Sequence, residues 1–207
     1  MTPRLSFRRL VLTGPGRNYE ISFRDGVNLI TGPIWTGKSS ILDLLDYACG
    51  AKKPPSYPEL SKCSDVYVEC LIGGEVLTIR RSLRSPSAKA ILYEASVDEV
   101  FEHAPIGTEV SPRHQRDGLS VSGEVLRRLD LGDIEVKAAP TQEASELKAF
   151  SLRDLLLLVY IDRDRMGSAK SGFYEDAPFK AIKWRAAFEI THNLFDQLAT
   201  SLAEALK

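Results

Sequence analysis

The chain has no run of about eighteen consecutive apolar residues, so nothing in it reads as a transmembrane helix. Met1-Thr2-Pro3-Arg4 is followed by no apolar stretch of the kind that drives secretion. Cysteine is scarce: Cys49, Cys63 and Cys70 are odd in number and lack metal-ligand or redox spacing. They read as buried or incidental thiols, and a reducing cytoplasmic setting is the expectation. Histidine is equally sparse, and His103, His114 and His192 lie too far apart in sequence to suggest a metal cluster or a catalytic base. Nor is there a charge excess of either sign. The net charge of −1 means that any basic surface must be local. What remains is an ordinary globular composition, 43% hydrophobic and 27% charged over 207 residues, enough for one sizeable domain with an appendage.

Against this background one segment stands out. Gly32-Pro33-Ile34-Trp35-Thr36-Gly37-Lys38-Ser39 matches G-x-x-x-x-G-K-[ST], a pattern that requires a strand entering it and a helix leaving it. Val27-Asn28-Leu29-Ile30, after the turn-forming Asp25-Gly26, predicts the strand. Ile41, Leu42, Leu44, Leu45 and Tyr47 recur at helical spacing up to Gly50 and predict the helix. Glycines let backbone N–H groups close around a phosphate, and the positive end of the helix dipole faces the same anion. Lys38 would reach the β- and γ-phosphates, and the Ser39 hydroxyl would take one Mg²⁺ position. Ser40, one position later, is a weaker choice of metal ligand. The motif therefore predicts ATP and Mg²⁺ as cofactors, held by residues 32–40.

Elsewhere the chain predicts an α/β domain rich in antiparallel hairpins. Strands are expected at 5–12 and 19–23, with Gly14-Pro15-Gly16 as the turn between them. Residues 52–63 read as loop. Segments 65–72 and 75–79 flank Gly73-Gly74, a two-residue hairpin signal. A further strand is expected at 88–93, a polar surface excursion at 102–119, a short helix at 122–129 and a strand at 134–136. Ser151 is a plausible N-cap for a helix running to Tyr160. Residues 177–207 predict one long helix, with Phe188, Phe195, Leu198, Leu202 and Leu206 at seam spacing for a partner helix or for the domain's own core. The expected division is a P-loop lobe, 1–176, and this helix, 177–207.

Cleavage of a nucleotide needs more than a P-loop: a carboxylate on the metal and a group that orients water. Leu157-Leu158-Val159-Tyr160-Ile161-Asp162 imitates an apolar strand ending in a metal carboxylate, which makes Asp162 a candidate metal ligand. Arg163 follows where a catalytic Glu would stand, and the run begins just after a helix start, so a helix-to-loop junction is the competing reading. No Leu-Ser-Gly-Gly loop occurs; Val121-Ser122-Gly123-Glu124 lacks the second glycine. No catalytic residue can be named.

The lead-in Gly26-Val27-Asn28-Leu29-Ile30-Thr31-Gly32, the lead-out Gly37-Lys38-Ser39-Ser40-Ile41-Leu42-Asp43, the hairpin-rich region and the terminal helix together resemble the N-terminal half of the ATPase head of SMC/SbcC-type proteins. These are ABC-class P-loop ATPases of chromosome maintenance and double-strand break repair. The resemblance implies a split head completed by a C-terminal half, a coiled coil beyond the long helix, and a second head that sandwiches ATP. It also implies association with DNA and, in some members, a nuclease subunit; anti-phage defence is a third possible setting. Residues 160–168 look like the family's glutamine-loop region, with Arg163 in the place of the Gln; an arginine there pairs with phosphate rather than Mg²⁺. Ile34 and Trp35 also depart from the small or polar residues usual in the family's loop. Arg17 resembles a basic residue that such heads point at the phosphates.

Arg4, Arg8, Arg9 and Arg17, and separately Arg80, Arg81, Arg84 and Lys89, form basic clusters in sequence. They suit a phosphate backbone or a solvated face balanced by acids, and the sequence does not choose. Two other functions stay open: a self-sufficient small P-loop NTPase or kinase, with Asp162 or Asp43 completing the metal site, and a non-catalytic nucleotide-binding assembly module. The P-loop itself generates a direct expectation. ATP–Mg²⁺ at a hundred times its Kd should stabilise the protein by roughly 2.7 kcal/mol, visible as a thermal shift that Lys38→Ala loses.

Overall fold

A computed structural model describes residues 4–34, 36–115, 118–132, 134–137, 147–161, 174 and 177–195. The chain divides into two compact units, Met1–Gly132 and Asp133–Lys207.

The first unit is built on a six-stranded sheet in the order β2-β1-β3-β4-β5-β6, with every neighbouring pair antiparallel. Its strands are β1 (Leu5–Thr13), β2 (Asn18–Ser22), β3 (Asp65–Ile72), β4 (Glu75–Ser82), β5 (Ala90–Tyr93) and β6 (Thr108–Val110). β3 and β4 form the hairpin that the sequence signalled. Gly73 and Gly74 sit at φ 60° and 99°, the double left-handed turn whose twist matches paired strands. The central strands β3 and β4 bury Val66, Val68, Cys70, Ile72, Leu77 and Ile79.

This unit has three α-helices among the described residues, of which α2 and α3 begin on side-chain caps. α1 (Lys38–Ala48) buries Ile41, Leu44, Leu45, Tyr47 and Ala48. α2 (Val97–His103) starts at a reciprocal cap: Ser96 Oγ accepts from the Glu99 amide, and Glu99 returns a carboxylate to the Ser96 amide. The buried Glu69 carboxylate adds a bond from the Val97 amide, 2.8 Å. Val97 and Val100 then close a cluster with Val11, Tyr67 and Tyr93, a burial that stabilises by about 1.5–3 kcal/mol per side chain. α3 (Val121–Arg128) is capped by Ser120 and ends in a charge network. Arg128 donates to Glu75, Glu94 and Glu124, and Arg127 donates to Glu124 as well.

The second unit pairs β7 (Glu135–Lys137) with β8 (Leu147–Ala149) and packs α4 (Leu152–Val159) against α5 (Pro178–Thr191). Ser151 and Asp154 form a second capping box, and the buried Asp154 carboxylate also accepts from Lys183 Nζ on α5 at 2.7 Å. Ala186, Ala187 and Ile190 are the buried face of α5.

Four expectations need correction. Residues 27–30 form no ladder among the described residues: Val27 and Leu29 are 97% and 84% exposed, and a strand requires a neighbour that this unit does not place beside them. The helix expected over 177–207 stops at Thr191. The Thr191 hydroxyl turns back to the carbonyls of Ala187 and Phe188, and Asn193 enters the left-handed region at φ 58°, which ends the helical ladder. Phe188 is exposed and stacks between Trp184 and His192, Phe195 lies past the helix, and Leu198, Leu202 and Leu206 lie outside the described residues. The polar stretch 102–119 contains β6, and α2 begins where no helix was expected, its short apolar face being visible only against the sheet. Finally, 157–159 belong to α4 rather than to a strand, so the strand-end setting proposed for Asp162 is lost; Asp162 and Arg163 lie outside the described residues.

Two stability measurements follow. Ser96→Ala removes one half of the α2 cap and should cost about 1 kcal/mol in denaturant unfolding. Arg127 and then Arg128 hold the Glu124 carboxyl below its usual range against the opposing pull of burial. A depressed folded value gives stability that is complete above the unfolded pKa, about 4.3, and is lost as pH falls through the folded one. Glu124→Gln should therefore lower stability at neutral pH and flatten its decline in acid.

Candidate functional site

The phosphate-loop motif leads into α1, as its spacing required. Helices α2, α3 and α4 begin on serine hydroxyls, whereas α1 begins on Gly37 with no side-chain cap and no acid in its first turn. No N-cap side chain takes the first-turn amides of α1, a feature that α5 shares, and at the end of a phosphate-loop motif the helix dipole makes an anion their favoured partner. Gly37 stands at φ 80° and Gly32 at φ 155°, both in the region that favours glycine. A Cβ on Gly32 would also meet Thr36 Oγ1 at 3.1 Å.

Lys38 is folded back over this loop. Its ammonium donates to the carbonyls of Gly32 (2.8 Å) and Pro33 (2.5 Å) and approaches Thr36 Oγ1 at 3.3 Å, while Thr36 Oγ1 donates to Pro33 at 2.9 Å. The cation is therefore held at the mouth of the loop by weak neutral acceptors that a phosphate oxygen can replace. Ser39 is exposed in the first turn of α1, and Ser40 is half-buried. The Tyr57 hydroxyl donates to Asp43 Oδ2 on α1 at 2.6 Å. That bond to Asp43, more than burial, raises the Tyr57 hydroxyl above its ordinary value. Of the two serines, Ser39 is the one whose hydroxyl is left facing solvent. Asp43, considered for a metal site, is instead tied to Tyr57 beside a cleft of about 350 Å³ lined also by Asp46, Lys53, Pro55 and Ser56.

These residues fit a bound nucleoside triphosphate with its metal. The amides of 37–40 and Lys38 would hold phosphate oxygens, and Ser39 would supply one oxygen ligand to Mg²⁺. Ile34 is 81% exposed at the loop's outer surface. The Arg17 guanidinium lies 4.6 Å over the Tyr19 ring at the β1–β2 turn. Trp35 lies outside the described residues, as does Asp162. Among the described residues, no group of three or more His, Cys, Asp or Glu converges, and the three cysteines are buried free thiols.

The basic clusters disperse on folding. Arg8 pairs with Asp25, Arg9 with Glu20 and Asp98, Arg80 with Asp65, and Lys89 with Glu109. Arg81 turns inward and is 2% exposed, bound to the carbonyls of Tyr47, Ala51 and Pro86. Sequence reading placed it on a surface patch. The signal that would have found it is the period of two on β4, where Leu77, Ile79 and Arg81 share the buried face.

None of the described helices is long and apolar enough to cross a membrane. No curated protein and no solved structure matches the chain significantly. A family model described as an AAA domain does match it, over residues 6–191, spanning both units and the whole phosphate loop. With a phosphate loop at the head of an uncapped helix and that match over most of its length, the chain belongs to the AAA-domain family of P-loop nucleotide-binding ATPases.

Proposed function

We propose that the chain is the nucleotide-holding half of an SMC/SbcC-like ATPase head. It binds ATP–Mg²⁺ through residues 32–40 and acts on DNA when a C-terminal half and a second head complete it. The observation that carries this reading is the bare lead-in to the phosphate loop. Asn28 fastens the Asp25-Gly26 turn through bonds to Arg24 and Gly26 backbone groups. The residues that follow, Val27, Leu29 and Ile30, are β-favouring, apolar and exposed. Such a run suits a strand whose neighbours come from another segment, and a completing half would supply them.

The chemistry of the loop agrees. Binding withdraws the Lys38 ammonium from the Gly32 and Pro33 carbonyls and turns it onto phosphate, so anion binding and loop opening are one step. The bound metal would draw charge from the phosphate oxygens and help hold them in line. The protein's part is to hold, orient and leave open the face where a second polypeptide brings the carboxylate and the water-orienting group. Association with DNA, a nuclease subunit and a coiled coil beyond α5 belong to the same reading. The ion pairs of Arg8, Arg9, Arg80 and Lys89 make the isolated chain a weak DNA binder on its own.

Turnover decides between this and a self-sufficient enzyme. The purified chain should bind ATP–Mg²⁺ and release almost no phosphate. Leu29→Lys should leave its folding stability within about 0.5 kcal/mol, because the side chain is exposed, yet abolish gain of ATPase activity when the completing half encoded with it is added. Robust phosphate release by the chain as a monomer would sink the half-head reading, and tight ATP retention untouched by either partner or DNA would favour an assembly module.

A further inference from the structure

Arg81 is a buried charge without an ion pair within 4 Å among the described residues; Asp46 acts on it only at longer range, against Arg113. The planar Arg81 fork is satisfied by backbone carbonyls alone: Nη1 donates to Tyr47 and, at 2.9 Å, to Ala51, and Nη2 donates to Pro86 at 3.1 Å. The guanidinium lies 3.8 Å over the Tyr47 ring. The Tyr47 hydroxyl in turn donates to the carbonyl of Ser82, the next residue on β4, at 2.5 Å. Tyr47 is in the last turn of α1 and Ala51 lies just past its end, so the fork grips the carbonyl end of the helix that carries the phosphate loop. A cation is favoured at that end by the dipole. Taking a charge out of water is nonetheless costly, and an apolar side chain of similar volume would fill the space at lower cost. Packing alone does not account for an arginine here.

We propose that Arg81 is a positioning residue for the nucleotide site: it fixes the far end of α1 to β4 and thereby aims the amides of Gly37–Ser40 at the phosphates. The proposal rests on the P-loop reading and adds a part to it. α1 has eleven residues, a rod of about 16 Å, so its two ends move together. Its phosphate end has fewer restraints among the described residues: Gly37 provides no side-chain cap, Lys38 bonds within its own loop, the preceding residues 27–34 are exposed, and the nearest tie is Tyr57 on Asp43. The apolar face of Ile41, Leu44 and Leu45 keeps the rod on the sheet, but nondirectional contacts allow it to slide and turn. Directional restraint comes from the Tyr47 hydroxyl on Ser82 and from the Arg81 fork, and of the two the fork reaches the helix end, the segment after it and the β4–β5 connection at once.

The test compares parent, Arg81→Met, Arg81→Lys and Val110→Ala, the last a buried site on the edge strand β6, separated from β4 by β5 and chosen as a control that lowers Tm. Two readouts are taken: amide hydrogen exchange of residues 42–45 without nucleotide, and the Kd for ATP–Mg²⁺. Arg81→Met should speed exchange at 42–45 by about tenfold and weaken ATP by about tenfold or more, since a displacement of about 1 Å can cost that much in an aligned site. Arg81→Lys should fall between, keeping the charge without the fork, and it carries both readouts if the methionine variant does not fold. Val110→Ala should leave Kd at the parent value. Faster exchange confined to 47–51, or an ATP affinity for the Arg81 variants no different from Val110→Ala, would overturn the proposal. Failure of the parent to bind ATP–Mg²⁺ would instead sink the P-loop reading, and a gain in exchange at 42–45 would then leave Arg81 as a helix anchor only.

Discussion

The two ends of α1 are treated oppositely, and the first unit is organised around that difference. At the carbonyl end, Arg81 gives up its hydration to satisfy Tyr47 and Ala51, and the ring of Tyr47 covers its face. At the amide end nothing comparable occurs among the described residues: Gly37 offers no side-chain oxygen, and Lys38 donates to carbonyls of its own loop. A helix satisfied at one end and open at the other is a fixed dipole with one free pole. The sheet beneath it holds that dipole in place through Ile41, Leu44 and Leu45.

Around this element, charge is largely neutralised within the fold. Arginines that read as a surface for phosphate backbones are spent on Asp25, Glu20, Asp98 and Asp65, linking loops and helices back to the sheet. Exposed ion pairs of this kind add little stability each. The apolar residues follow a different logic. Val27, Leu29 and Ile34 are exposed beside the phosphate loop, a distribution suited to a surface that is completed by another segment rather than by solvent.

The parts of the fold that could be read in advance are those fixed by neighbours in sequence. Gly73-Gly74 sets both φ angles of the β3–β4 turn by itself, and Ser151 with Asp154 closes a cap within one helical turn. The phosphate loop is legible for the same reason: its glycines, lysine and serine act within eight residues. α2 was missed because Val97 and Val100 show a helical face only against Val11, Tyr67 and Tyr93, which come from three separate strands. The extent of α5 was overread because an apolar stripe does not reveal where a hydroxyl such as that of Thr191 will turn back on its own carbonyls.

The sequence by itself determined that a phosphate-loop motif stands at Gly32–Ser39, heading α1, and that β3 and β4 pair, since local φ preferences and a contiguous motif suffice for both. Only the tertiary structure decided that Arg81 belongs to the interior, that Arg80 and Lys89 are paired, and that the lead-in at 27–30 has no strand partner among the described residues. Those outcomes depend on which distant groups reach one another, and on whether a neighbouring strand is present to receive hydrogen bonds, neither of which is written in a residue's own neighbourhood.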